Sequence, residues 1–211
     1  MTWIKICGIT NLEDAQTAAA LGADALGFVF APSRRRIEPS VAKGIVSALP
    51  ERLLKVGVFV EEDPGEVLRI AKECGLGALQ FSGRESPAYC RKFSYPIFKT
   101  IHVRNEESLE ESDRYEGMTI LLDTYCTTQR GGTGRPFRWE IALKLSGKRR
   151  FVLSGGLRPD NVGTAMTILK PWGVDVCSGL EVVPGKKDPT KMAHFIEEVR
   201  RRDESDRRDI P

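Results

Sequence analysis

FVLSGGLRPDNVGTAMTILKPWGVDVCSGLE, residues 151–181, contains two short apolar runs with a helical pattern between them. The runs Phe151–Leu153 and Val174–Val176 are nearly continuous in apolar residues, which is typical of strands that are covered on both faces. The helical pattern opens at Pro159, and Pro171 prevents its continuation. Strand, helix and strand in this order predict one β–α–β unit with parallel strands.

The same alternation extends over the rest of the 211 residues. Six further strand-like runs, rich in Val, Ile, Leu and Phe, are Trp3–Cys7, Ala25–Phe30, Leu54–Val60, Ala78–Phe81, Ile97–Ile101 and Thr119–Leu122. Eight strand–helix units with short links predict a single-domain α/β protein, a closed (β/α)₈ TIM barrel over residues 1–199. The alternative is an open doubly wound sheet, which usually has fewer strands and a glycine-rich loop after the first one.

Local signals place several helix ends. Asn11 can cap a helix that ends at Gly22, and Asp63-Pro64 opens a helix that runs to Gly75. From Arg200 onward, RRRDESDRRDIP contains almost no apolar residue, so residues 200–211 are predicted to be a frayed, solvated polar tail.

The composition limits the classes of function. Hydrophobic residues make up 41% of the chain, and the net charge of +3 is too small to indicate nucleic acid binding. We expect no signal peptide and no membrane-spanning segment, because no run of about 18 apolar residues is present. The five cysteines form no CxxC pair, which indicates neither disulfides nor a metal site and favours a cytoplasmic location.

Glycines follow both of the last two predicted strands, as Gly155-Gly156 and in Ser178-Gly179. In a (β/α)₈ barrel the loops after these strands form the usual phosphate site. Glycine lets backbone N–H groups approach a phosphate closely, and a helix start adds positive potential. Glycines also occur as simple turn residues, but two such sites on adjacent strands favour phosphate binding.

Cys7 and Asp123 stand where the first and sixth predicted strands end, on the side of the barrel that carries active sites in this fold. In isolation, Cys7 would be a buried structural thiol and Asp123 a cap of the next loop. At the barrel mouth, a thiolate can act as a base if positive groups lower its pKa. Partial burial would raise the pKa of Asp123 and suit it to general acid catalysis. The two residues indicate metal-free acid–base chemistry on a phosphorylated substrate.

Two loops leave both a plain and a functional interpretation open. Arg34, Arg35 and Arg36 could form a solvated patch, or one of them could clamp a carboxylate with two hydrogen bonds. The segment Thr127–Arg135, which contains GGTG, could be an ordinary loop or a lid that excludes water.

Eight motifs carry a resemblance to a known family. They are KICGIT (5–10), GADALGFVF (22–30), VGVFV (56–60), LLDT (121–124), GGTG (131–134), LSGGL (153–157), VDVCSGLE (174–181) and PGKKD (184–188). In this order they closely resemble the phosphoribosylanthranilate isomerases. The resemblance implies an Amadori rearrangement of N-(5′-phosphoribosyl)anthranilate to 1-(2-carboxyphenylamino)-1-deoxyribulose 5-phosphate in tryptophan biosynthesis, with no cofactor and no metal.

The resemblance also implies roles for individual residues. Cys7 would be the general base that removes the proton from C2 of the ribose, and Asp123 the general acid that protonates the ring oxygen. Arg35 matches the arginine that binds the anthranilate carboxylate. The phosphate would be bound through the backbone N–H groups of Gly155, Gly156, Ser178 and Gly179. The implied partner is a small phosphorylated molecule, with no nucleic acid and no membrane, and protein partners are not identified.

Three positions depart from the family pattern. Ser82 replaces a histidine, Cys177 replaces a serine, and Arg138 replaces the aspartate of FDW. None of the three coincides with Cys7 or Asp123.

Two other functions are open. A barrel isomerase of histidine biosynthesis, or a dual-substrate version, would need a second phosphate site after strands 3 and 4, where Glu61-Glu62-Asp63 is acidic. A non-catalytic phosphosugar-binding domain would need neither the acid nor the base.

Overall fold

A computed structural model describes residues 1–124 and 139–208. Eight parallel strands form a closed barrel in sequential order. The strands are β1 (Trp3–Cys7), β2 (Ala25–Val29), β3 (Leu54–Phe59), β4 (Ala78–Phe81), β5 (Ile97–Val103), β6 (Thr119–Thr124), β7 (Phe151–Leu153) and β8 (Gly173–Val176). The barrel closes between β1 and β8, where Ile4 pairs with Val174. The predicted (β/α)₈ barrel is confirmed, and the doubly wound alternative is wrong.

Helices follow most of the strands. They are α1 (Leu12–Ala20), α2 (Pro39–Ser47), α3 (Pro64–Cys74), α4 (Pro87–Cys90), α5 (Glu107–Glu110), α6 (Val162–Leu169) and α7 (Pro189–Arg208). Short 3₁₀ helices span Glu111–Arg114, Trp139–Lys144 and Ser178–Leu180. An antiparallel hairpin of β9 (Glu181–Val183) and β10 (Lys186–Lys187) lies between β8 and α7. No helix of the described residues is long and apolar enough to cross a membrane.

The predicted caps form. The side chain of Asn11 accepts a hydrogen bond from the Asp14 N–H (2.9 Å), and Gly75 ends α3 in the left-handed region with a φ of 64°. The helix α6 begins at Val162, later than the predicted opening at Pro159. The residues before it form a turn, in which the Asn161 side chain accepts a hydrogen bond from the backbone of Arg158 (2.8 Å).

The inside of the barrel changes character along its axis. Near the N-terminal ends of the strands, Trp3 stacks on Phe98 and on Trp172, each with a centroid distance of 5.3 Å. A small apolar cluster fills the layer above, and its members are Ala25, Val56, Ala78, Phe98, Leu121 and Val152. Toward the C-terminal ends the buried side chains become polar, with Lys5 and Asp175 among them. This polarity places the candidate site at the end that the sequence indicated.

The last helix differs from the predicted polar tail, because residues 200–208 continue α7. Arg200 Nη1 donates a hydrogen bond to the Thr2 carbonyl (2.6 Å), and Thr2 Oγ1 donates one to Asp203 Oδ1 (2.6 Å). These contacts bind the helix end to the start of β1. A frayed end was predicted because the segment lacks apolar residues, but polar tertiary contacts order it instead.

Candidate active site

A cavity of about 530 Å³ opens at the C-terminal end of the barrel. The predicted site residues that line it are Cys7, Arg35, Asp123, Gly155, Gly156 and Ser178. A larger cavity of about 830 Å³ lies at the opposite end, beside Thr119 and Trp172. In this fold the N-terminal ends of the strands serve stability, so the smaller cavity is the candidate site.

Cys7 ends β1 and is 7% exposed. It pairs in register with Gly27 of β2, and a Cβ atom at Gly27 would lie 2.7 Å from Cys7 Sγ. Glycine at that position therefore leaves room for the thiol. A hydrogen bond with Cys177 and then burial hold the pKa of Cys7 well above its usual value, although Lys5 acts in the opposite direction.

Cys177 follows β8 and contacts Cys7. Its pKa is lowered to about 7, first by the hydrogen bond with Cys7 and further by the charges of Lys187 and Arg35, while burial opposes the shift. Lys187 Nζ lies 3.7 Å from Cys177 Sγ. When the thiol pair has lost one proton, the negative charge is therefore favoured on Cys177 and the remaining proton on Cys7.

An ion pair lies one side-chain layer below these thiols. Lys5 Nζ donates to Asp175 Oδ1 at 2.8 Å, and both side chains are buried. Burial alone would lower the pKa of Lys5, but the charges of Asp175 and then Cys7 raise it above its usual value. Ser154 Oγ completes the group with a hydrogen bond to Asp175 Oδ2 (3.3 Å). The ammonium is therefore kept charged beside Cys7.

Asp123 lies within β6, which continues past the predicted end at Leu122. Burial raises the pKa of its carboxyl, whereas the charge of His102 and a hydrogen bond from the Thr124 N–H lower it. The net shift is upward, as predicted. His102 occupies the paired position on β5.

Arg35 is buried, whereas its neighbours Arg34 and Arg36 are exposed. Its guanidinium donates to both carboxylate oxygens of Glu181, from Nε at 2.7 Å and from Nη2 at 2.6 Å. The three consecutive arginines thus have different environments, and Arg35 is held rigidly at the cavity wall.

The two glycine loops lie side by side. Gly155 and Gly156 adopt left-handed φ angles of 81° and 70°, which side-chain-bearing residues rarely adopt. Ser178 begins a 3₁₀ helix, and a Cβ atom at Gly179 would collide with the carbonyl oxygen of Leu157. The loop after β8 can therefore pack this closely against the loop after β7 only with glycine at position 179, whereas a Cβ atom at Gly155 would collide with Thr124 of β6.

The model of the N-(5′phosphoribosyl)anthranilate (PRA) isomerase family matches residues 4–198. The chain belongs to this family. The N-(5′-phosphoribosyl)anthranilate isomerase of Desulforudis audaxviator is 51% identical over 202 residues, which cover 95% of this chain and 98% of that protein. The crystal structure of phosphoribosyl anthranilate isomerase from Thermotoga maritima is 42% identical, with a TM-score of 0.90, and covers 95% of this chain and 99% of that one.

A second phosphoribosyl anthranilate isomerase structure was solved in complex with reduced 1-(o-carboxyphenylamino)-1-deoxyribulose 5-phosphate. It is 42% identical, has a TM-score of 0.87 and covers 95% of this chain and 99% of that one. Membership of the isomerase family and the barrel fold that the motifs implied are both confirmed.

Two of the three positions that depart from the family pattern, Ser82 and Cys177, lie among the described residues. At the first, Ser82 Oγ shares a hydrogen bond with Thr100 Oγ1 (2.9 Å) and accepts one from Gln80 Nε2 (3.1 Å). An imidazole is still nearby, because His102 Nε2 lies 3.0 Å from the Ser82 carbonyl oxygen. At the second, Cys177 contacts the predicted base, Cys7. Arg138, GGTG and the segment Thr127–Arg135 lie outside the described residues.

Sequence reasoning missed Lys5, Asp175 and His102. A signal was present for Lys5 and Asp175, which precede the two cysteines by two positions. Residues two apart in an extended chain point to the same face. The position of His102 beside Asp123 depends on the pairing of β5 with β6.

Proposed function

We propose that this chain carries out the reaction for which its family is named. It converts N-(5′-phosphoribosyl)anthranilate to 1-(2-carboxyphenylamino)-1-deoxyribulose 5-phosphate, as a step of tryptophan biosynthesis. The observation that carries the proposal is that a thiol and a carboxyl with a raised pKa, Cys7 and Asp123, line one cavity of about 530 Å³. A cavity of this size suits a small ligand.

Asp123 is the general acid of the proposed reaction. Its raised pKa favours the protonated form that donates to the ring oxygen and opens the furanose. As the bond between C1 and the ring oxygen breaks, the anthranilate nitrogen forms a double bond to C1. Loss of the C2 proton to Cys7 then gives an enolamine with a C1–C2 double bond, which becomes the C2 ketone when a proton is added at C1. Hydrogen moves within the substrate, so the reaction needs no external oxidant or reductant.

The pKa of Cys7 is raised, but Cys7 can still act as the general base because Cys177 can take up its proton. Near neutral pH the two thiols together have lost one proton, because the pKa of Cys177 is about 7. Transfer of the remaining proton along the hydrogen bond to Cys177 leaves a thiolate on Cys7. Lys5, which contacts Cys7 and carries a fixed charge, stabilises that thiolate.

The cavity offers separate positions for the two ends of the substrate. The phosphate is assigned to the backbone N–H groups of Gly155, Gly156, Ser178 and Gly179, where left-handed glycines leave the backbone open to an anion. The anthranilate carboxylate is assigned to Arg35. Since Glu181 engages Nε and Nη2 of that guanidinium, the substrate is met through Nη1.

A substrate with phosphates at both ends is disfavoured by Glu85. Its carboxylate accepts hydrogen bonds from the backbone N–H groups of Gly83 (2.9 Å) and Glu61 (2.7 Å), in the loops after β4 and β3. The backbone donors that could bind a second phosphate are therefore already occupied by an anion. This observation argues against the histidine-pathway and dual-substrate alternatives.

Turnover measurements on the purified protein test this proposal. The fluorescence of the anthranilate group differs between substrate and product, so conversion can be followed directly. We expect turnover of the phosphoribosylanthranilate. For the two-phosphate compound we expect a kcat/KM that is at least about 100-fold lower, because its second phosphate would lack the hydrogen bonds that bind the first. Comparable kcat/KM values would support the dual-substrate alternative, and no turnover of either compound would support a binding domain.

The cytoplasmic location stays a prediction, which cell fractionation tests.

A further inference from the structure

Two thiols lie against each other at the mouth of the barrel. Ile6 of β1 pairs in register with Val176 of β8, and Cys7 and Cys177 are the residues that directly follow these two. Both line the 530 Å³ cavity, so small solutes can reach them. Adjacent strands are about 4.8 Å apart, which falls within the Cα–Cα range of about 4.4–6.8 Å that disulfides require.

Three positive groups and a carboxylate lie around this pair, and the carboxylate oxygen, Glu181 Oε1, is 4.0 Å from Cys177 Sγ. Lys187 Nζ lies 3.7 Å from Cys177 Sγ, and the charge of Arg35 acts on the same sulfur. Lys5 approaches Cys7 from inside the barrel. A thiolate is the form of cysteine that reacts with peroxides, and nearby cations stabilise it.

Two other described cysteines lack this environment. Cys74 donates to the Pro39 carbonyl (3.3 Å), and burial raises its pKa. Burial likewise raises the pKa of Cys90, to about 11. Among the four cysteines that the structure describes, reactivity is therefore expected to be concentrated at Cys177 and Cys7.

We propose that Cys7 and Cys177 form a redox-reactive dithiol, which a hydroperoxide converts to an intramolecular disulfide. The Cys177 thiolate attacks the peroxide, gains one oxygen to become a sulfenic acid and releases hydroxide, which takes up a proton. The Cys7 sulfur then attacks the Cys177 sulfur, the S–O bond breaks and water leaves with the Cys7 proton. Overall, two thiols and one hydrogen peroxide give one disulfide and two water molecules.

This disulfide would include the sulfur of Cys7, the proposed base, which could then no longer accept a proton. The catalytic proposal and the redox proposal are nevertheless separate, because the disulfide follows from the contact of the thiols and not from the reaction of the substrate. Its formation is detected by mass, without reference to activity.

The experiment treats the reduced full-length protein with a small molar excess of hydrogen peroxide, blocks the remaining thiols and digests it with trypsin. Cleavage places Cys7 in residues 6–34 and Cys177 in residues 151–186, and neither peptide contains another cysteine. We expect a disulfide-linked pair of these peptides that dithiothreitol separates. Isomerase activity should disappear as the linked pair forms and return on reduction.

Three variants serve as comparisons. Cys177→Ser should form no linked pair, and its Cys7 should react with peroxide at least about tenfold more slowly, because the thiolate partner is gone. Cys74→Ser should behave as the parent protein does. Cys126→Ser, which alters a cysteine outside the described residues, should also keep the linkage.

The proposal is wrong if Cys7 and Cys177 stay reduced, if they are recovered as separate sulfinic acids, or if Cys126→Ser abolishes the linkage. A linked pair that leaves turnover unchanged would uphold the disulfide and would instead contradict the role of Cys7 as the base.

Discussion

Lys5 Nζ lies 2.8 Å from Asp175 Oδ1 inside the barrel, and the two residues pair in register between β1 and β8. Cys7 follows Lys5 by two positions on β1, and Cys177 follows Asp175 by two positions, directly after the end of β8. A buried ion pair thus supports the pair of thiols, with its positive member next to Cys7. This arrangement joins the polar interior of the barrel to the proposed chemistry.

Replacing Lys5 with Met should lower both the stability of the protein and its kcat/KM. The change leaves the carboxylate of Asp175 buried without its partner, which costs about 3–5 kcal/mol of unfolding free energy. Since Lys5 also lowers the pKa of Cys7 and stabilises its thiolate, kcat/KM should fall, while the acid limb set by Cys177 should stay near pH 7. Urea unfolding and a pH–rate profile measure the two effects.

Lys5→Met combined with Asp175→Asn is the control for that change. The double variant should recover part of the lost stability, because no unpaired charge remains. It should also recover part of the lost kcat/KM, because the charge of Asp175 raises the pKa of Cys7 and is absent from this variant. Equal stability of Lys5→Met and the parent protein would contradict the buried ion pair.

Replacing Cys177 with Ser tests the shared proton. In the parent protein the acid limb of kcat/KM should lie near pH 7, the pKa of Cys177. A serine hydroxyl cannot take the negative charge, so the base should titrate at a higher pH than the thiol pair does. At neutral pH the activity should fall and at pH 9 it should recover. An acid limb at the same pH in Cys177→Ser and in the control Cys74→Ser would show that the thiols titrate independently.

Replacing His102 with Gln should change the opposite limb of the profile. The charge of His102 lowers the pKa of Asp123, so its removal raises that pKa. A general acid with a higher pKa stays protonated to higher pH, and the alkaline limb should therefore move upward by up to about one unit. His194→Gln, on the exposed side of α7, is the matched control. A downward shift in His102→Gln would contradict the contact between the imidazole and the carboxyl.

Replacing Gly156 with Asp tests the phosphate site. An added side chain at a φ of 70° costs about 1–2 kcal/mol wherever it occurs, and the carboxylate would also repel the phosphate. Gly147→Asp is the matched control, because Gly147 has a φ of 73° and open space around it. We expect similar losses of stability in both variants, with KM raised at least about tenfold only in Gly156→Asp. Equal KM values would place the phosphate elsewhere.

Much of this arrangement could be predicted from local sequence. Apolar runs predicted the strands because both faces of the barrel wall are covered. Asn11 predicted a helix start through its side-chain cap, and Gly75 predicted a helix end through its left-handed backbone. The contact of Cys7 with Cys177 and the pairing of Lys5 with Asp175 depend on closure between β1 and β8, which no local pattern encodes. The order of residues 200–208 likewise depends on the distant contact of Asp203 with Thr2.

The central claim is that Cys7 and Asp123 are the base and the acid of one isomerisation. Steady-state kinetics of Cys7→Ala and Asp123→Asn with N-(5′-phosphoribosyl)anthranilate test it most directly. Each change should lower kcat by roughly 10²–10⁴-fold, the usual contribution of a positioned acid or base. KM should move little, since neither group is needed to bind the ground state. Near-parental kcat in either folded variant would contradict the claim.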